Sequence, residues 1–175
     1  LTPNGLAITM RRNPPKLGRE KPYMSGELQS REAFQYGYFE ASMRLPEGDG
    51  VLAAFFTFIR PEGTATWEEI DIEFVRSRPQ VMEATYHLHG RSVDRNINLG
   101  FDPSQAFHTY GFEWTPDALR WYVNNRLVHE VRDPRIARMR RPQRLYVALA
   151  SASGLSAWLG ELDPSKEPWT LEVSC

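Results

Sequence analysis

Residues 68–74 read EEIDIEF, in which Glu69, Asp71 and Glu73 alternate with Ile70, Ile72 and Phe74. Successive side chains of a β-strand point to opposite faces, so this spacing predicts a strand with one acidic and one apolar side. An alternating strand ordinarily shows its polar side to water. Here that side carries like charges with no Lys or Arg among them, and its flanks are aromatic: Trp67 shares the face, and Phe55, Phe56 and Phe58 lie just upstream. Carboxylates walled by rings suit a sugar-cleaving cleft. Rings stack on the apolar faces of pyranose units, and carboxylates supply acid, base and nucleophile.

The rest of the chain has the same strand character. Turn signals recur at PNG (3–5), PP (14–15), PEGDG (46–50), RPEG (60–63), NN (124–125) and DP (163–164). Between them lie short alternating or aromatic runs such as YGYFEASMRL (36–45), VLAAFFTFI (51–59), EATYHLH (83–89) and RLYVALA (144–150). Many short strands with polar punctuation predict an antiparallel sandwich or barrel. WYVNNRLVHEV (121–131) predicts a hairpin, because Asn tolerates the positive φ that a tight turn needs.

Composition limits the function. The 175 residues, 41% hydrophobic, are enough for one domain over 1–175 with its own core. A net charge of −1 gives no global attraction to nucleic acid or to a membrane surface. No apolar run approaches the ~20 residues that span a bilayer. The opening LTPNGLAITM lacks a signal-peptide pattern, which a removed signal would also leave. The single Cys175 supports neither a disulfide framework nor a cysteine metal site.

Taken in order, YGYFEASM, FFTF, WEEIDIEF, NLGFDPSQAFHTYGFEW and AWLG resemble glycoside hydrolase family 16. The pattern is most similar to the bacterial endo-β-1,3-1,4-glucanases (lichenases) and the exopolysaccharide glycanases of rhizobia, from near Gly26 to Trp158. The resemblance implies an all-β jelly-roll sandwich of two antiparallel sheets with a concave substrate cleft, and retaining hydrolysis of a polysaccharide. By position, Glu69 is the nucleophile, Glu73 the general acid/base, and Asp71 the group between them that tunes the nucleophile. Three crowded carboxyls cannot all ionise cheaply, so one is expected to keep its proton near neutral pH, and that one is assigned as the acid. Substrate contacts are implied at Trp67, Glu27, Phe56, Phe58 and Trp158, with Tyr86 and His87 flanking the acids on the next strand. His108 is read as structural.

The resemblance implies a secreted or periplasmic monomer that needs no cofactor or metal for its reaction. The calcium ion that some lichenases hold between their terminal segments would fall on this chain's ends. Those ends are expected to lack the usual upstream strand and to cut the closing one. The chain departs from the lichenase pattern NLWNG with ALASA, placing Ala148 and Ala150 where that pattern has Asn and Trp, and it carries Gln29 and Thr85 in place of an Arg and an Asn. A cleft so changed is expected to prefer something other than plain lichenan. Arg132, Arg135, Arg138, Arg140, Arg141 and Arg144 form a basic run. A solvated loop is the favoured reading, and an edge for an anionic polysaccharide the sharper one. A transglycosylase using the same site and a non-catalytic sugar-binding sandwich are the alternatives to hydrolysis.

Overall fold

A computed structural model of the chain describes residues 5–14, 21–152 and 154–174. Its strands are β1 (Gly5–Arg12), β2 (Tyr23–Met24), β3 (Glu27–Phe34), β4 (Gly37–Arg44), β5 (Leu52–Ile59), β6 (Glu68–Val75) and β7 (Val81–Leu88), then β8 (Arg91–Asn98), β9 (His108–Trp114), β10 (Leu119–Val123), β11 (Arg126–Val131), β12 (Gln143–Ala150) and β13 (Trp169–Ser174). A four-residue helix, α1, spans Ser156–Leu159. The strands form a seven-stranded sheet in the order β11-β10-β9-β4-β13-β1-β2 and a six-stranded sheet in the order β3-β12-β5-β6-β7-β8. Every pairing is antiparallel. This is the expected jelly-roll sandwich.

Alternation builds the core. On β6, Ile70, Ile72 and Phe74 are at most 1% exposed, and they meet Tyr110, Phe112 and Trp121 of the facing sheet in one cluster. Phe55 sits 5.5 Å from Phe112, and Phe74 meets Tyr110 edge-on at 4.8 Å, both across the sandwich. Edge-on ring pairs add to the apolar burial that holds the layers together. The predicted hairpin is β10–β11, with Asn124 and Asn125 at φ 48° and 63°.

Near the two ends of the chain, β1 and β13 pair with each other from Gly5↔Ser174 to Met10↔Trp169. β13 joins β4 only over Ser42–Arg44, so its described pairing covers part of that strand. Residues 1–4 and 175, on which the calcium expectation falls, lie outside the described residues.

Candidate active site

The strand register sets the site. On the outer face of the six-stranded sheet, three rungs cross β6. Glu69 lies between His87 of β7 and Phe58 of β5; Asp71 between Thr85 and Phe56; Glu73 between Glu83 and Ala54. The rungs continue onto β12 as Arg144, Tyr146 and Ala148, and onto β3 as Gln29 and Glu27. On the far side β8 adds Ser92, Asp94 and Asn96. Beside Glu73 a cavity of about 530 Å³ opens, lined in part by Glu83, His87, Asp94 and Trp158.

Each acid has its own surroundings. Trp67 donates its Nε1–H to Glu69 Oε2 at 2.7 Å. Burial raises the proton affinity of Glu69, opposed by that bond, by a hydrogen bond with Asp71 and by the positive charge of Arg60. Asp71 is 3% exposed, and burial first, then the charges of Glu69 and Glu73, push its carboxyl well above the usual range. Glu73 is pushed up to about 7, chiefly by burial and then by the Glu69 charge. His87 Nε2 lies 3.6 Å from Asp71 Oδ2 and 3.9 Å from Glu69 Oε2. Burial lowers the imidazole's proton affinity, so it is neutral at pH 7.

Crowding and burial thus favour the protonated form at more than one carboxyl of the row, and at Asp71 most plainly, which is the deepest and has an acid on either side. Glu69, Asp71 and His87 bring one ligand atom each to within 4.8 Å of one another. Asp71 and Glu69 are hydrogen-bonded to each other, which brings two of these three groups together.

The other expected residues divide. Phe56 and Phe58 lie half-buried on the cleft face, with Phe56 stacked on Tyr146 at 4.9 Å and 9°. Trp67, Glu27 and His87 share that face, and the Trp158 Nε1–H reaches Glu83 Oε1 at 3.0 Å. Tyr86 is a correction. Paired with core-facing Ile70 and 3% exposed, it points into the sandwich, because neighbours on a strand cannot share a face. His108 is structural as expected, stacked on Phe101 at 3.9 Å and hydrogen-bonded to Asn124.

The arginine run is mostly exposed, in line with the favoured reading of a solvated loop. Arg132 pairs with Asp117 and Glu130, Arg135 with Asp133, and Arg141 with the buried Glu68. Arg140 and Arg144 donate to main-chain carbonyls. Five of the six thus serve local acids or loop backbone, which leaves the anionic-polymer edge with little support. Sequence reasoning missed Glu83, Asp94, Asn96, Tyr146 and Arg60. The alternation of EATYH and VDRN carried a signal for the β7 and β8 groups, whereas Tyr146 and Arg60 needed the register.

A carboxylate row on the open face of a two-sheet β-sandwich, walled by aromatic side chains, defines a jelly-roll protein with a sugar-binding cleft. The chain belongs to glycosyl hydrolases family 16, whose sequence profile matches residues 2–169. It is 37% identical over 148 residues to a beta-glucanase of Acetivibrio thermocellus, covering 83% of this chain and 43% of that protein. It is 32% identical over 136 residues to a beta-glucanase of Bacillus subtilis, covering 77% of this chain and 55% of the relative. The chain thus spans about half the length of these relatives. Among solved structures, a lichenase derived from a mouse hindgut metagenome superposes with a TM-score of 0.85 at 27% identity, covering 96% of this chain and 76% of that one. The Bacillus licheniformis beta-glucanase gives 0.84 at 27%, covering 96% and 75%.

Proposed function

We propose that the chain is a retaining, endo-acting β-glycanase that hydrolyses a β-linked glucan through a covalent glycosyl-enzyme on Glu69. The observation that carries this reading is the electrostatic split along β6. Burial raises both carboxyls, but at Glu69 the Trp67 N–H and the Arg60 charge oppose it, while at Glu73 the Glu69 charge adds to it and pushes it up to about 7. Pairs of carboxyls pushed apart in this way mark nucleophile and acid. In the first step a Glu69 oxygen attacks the anomeric carbon as Glu73 gives its proton to the leaving glycosidic oxygen. In the second, Glu73 takes a proton from water, which attacks the same carbon and frees Glu69. Asp71, whose proton affinity is raised, is placed to donate to Glu69 and to steady its charge before attack and again as it is released.

Beta-glucanase relatives and lichenase-like neighbours support a β-glucan substrate. A bacterial exopolysaccharide is the second reading, favoured by the small floor beside Glu73, where Ala54 and Ala148 share a rung and Ala150 lies one rung on. A polymer substrate fits a secreted or periplasmic workplace. The test is incubation with a polysaccharide panel, with product sizing and NMR of the first-formed anomer. Internal cleavage releasing β-anomers supports the reading. Initial α-anomers would exclude retention, redistributed chain lengths would make the chain a transglycosylase, and retention of polymer without cleavage would make it a binding module.

A further inference from the structure

The segment between β5 and β6 folds back on itself. Residues before proline favour extended backbone, and Arg60 precedes Pro61, which opens a turn closed by Thr64 N–H to Pro61 O at 3.2 Å. Gly63 takes φ 71° within it, a conformation that disfavours side chains. This turn returns the chain so that Trp67 lies beneath Arg60. The guanidinium carbon stands 5.2 Å from the Trp67 ring and 6.0 Å from the Phe58 ring. The same indole meets the His87 ring at 5.6 Å and aims its N–H at Glu69 Oε2.

We propose that Arg60 is a positioning residue for Glu69, fixing the Trp67 indole so that its N–H holds the nucleophile's oxygen. This rests on Glu69 being the nucleophile. A guanidinium over an indole is attracted by the ring's negative face, and its flat, delocalised group follows the ring where a lysine's point charge does not. An indole pinned from above by Arg60 and from the side by His87 keeps one orientation. Its single donor then stays on one carboxylate oxygen and leaves the other to attack. Arg60 also adds a positive charge that favours ionised Glu69. The other titratable groups around Glu69 are Asp71 and Glu73 on its own strand and His87 on β7. On the β5 side the rung holds Phe58, and beyond it lies Arg144, bound to the carbonyls of Ser30 and Arg31.

The test compares Arg60→Gln and Arg60→Lys with the parent on a neutral mixed-linkage β-glucan, measuring kcat and KM across pH. The sign is fixed: removing a cation raises the proton affinity of Glu69, so the acid limb of kcat/KM moves to higher pH in Arg60→Gln. We expect kcat to fall about two- to five-fold, the range for an exposed cation–ring contact, with little change in KM. Arg60→Lys should keep the parent's acid limb and lose part of kcat. In ¹⁵N-labelled protein the Trp67 indole resonance, assigned by loss in Trp67→Phe, should titrate with Glu69 and show a higher midpoint in Arg60→Gln. Parent-like kcat and acid limb in Arg60→Gln would overturn the proposal. So would a change confined to KM and larger on an acidic polymer, which would make Arg60 a reader of substrate charge. Azide rescue of Glu69→Ala does not depend on Arg60, so its failure would strike the nucleophile assignment and leave the Arg60–Trp67 contact standing.

Discussion

Trp121 of β10 donates its Nε1–H to the main-chain oxygen of Asp71 at 2.9 Å, reaching across the whole core from one sheet to the other. Trp121 is fully buried, so this bond fixes the depth of β6 at its middle residue. Trp121→Phe removes the donor and part of the ring. It should cost about 2–4 kcal/mol, through the lost hydrogen bond and a small cavity, and lower kcat more than it raises KM. Urea unfolding and steady-state kinetics check this. Loss of stability with unchanged kcat would show that the strand holds its depth without the bond.

The raised proton affinity of Asp71 predicts an order among its variants. Asn keeps a donor facing Glu69 and the same shape, whereas Leu removes the donor. Asp71→Asn should retain clearly more kcat than Asp71→Leu, while Glu69→Gln and Glu73→Gln should each nearly abolish turnover with the fold intact. Circular dichroism beside single-turnover assays checks both parts.

Glu73 sets two pH dependences of opposite origin. As the acid it must be protonated, so kcat/KM should fall as pH rises through about 7. Its folded value also lies above its ordinary one of 4.5, so folding favours the protonated form. By linkage, its contribution to stability is fully present below 4.5 and is lost as pH rises towards 7. Glu73→Gln cannot ionise, so its melting temperature relative to the parent should be higher at pH 8 than at pH 5. Equal differences at both values would contradict the buried, charge-crowded environment of this carboxyl.

Glu68 is 1% exposed on the core side of β6, held by Arg141 Nη1 at 2.6 Å and approached by His89 Nε2 at 3.5 Å. Arg141→Ala leaves a buried carboxylate short of its main partner. The expected loss is about 2 kcal/mol, or roughly 4–8 °C in melting temperature, with KM on any polymer unchanged. A raised KM at unchanged stability would return Arg141 to substrate binding.

The sequence carried the sandwich, the acidic row and the hairpin, since period-two alternation and paired asparagines are local signals. Glu68 shows where local reading stops. It belongs by alternation to the apolar face, and only its distant partner Arg141 explains a charge there. Tyr86 and His87 are adjacent in sequence and opposite in the fold, which no composition reveals without a register. Tyr146 joined the cleft through its rung with Phe56 and a hydrogen bond from Gln29, both long-range relations. Of the acids that pair with the arginine run, Glu130 and Asp133 are local, whereas Glu68 lies 73 residues from its partner Arg141 and is visible only in the fold.

The small floor predicts a specificity change. Ala150→Trp restores a ring on the cleft face two residues from Ala148. It should lower KM for unsubstituted mixed-linkage glucan and raise it for a substituted exopolysaccharide, because a stacking ring contributes about 0.5–1.5 kcal/mol where it fits and blocks a side branch where it does not. Parallel kinetics on the two polymers read the ratio directly. An unchanged ratio would remove Ala150 from the specificity account.

The central claim is that Glu69 forms the bond to sugar and Glu73 moves the proton. The most direct measurement is azide rescue of Glu69→Ala and Glu73→Ala on an aryl β-glucoside oligomer, with the product's configuration read by NMR. With its nucleophile gone, the Glu69 variant should be rescued by azide attacking the anomeric carbon once, giving an α-glycosyl azide. The Glu73 variant should instead yield the β-azide through the intact intermediate. An α-azide from the Glu73 variant and none from the Glu69 variant would reverse the two roles and contradict the account.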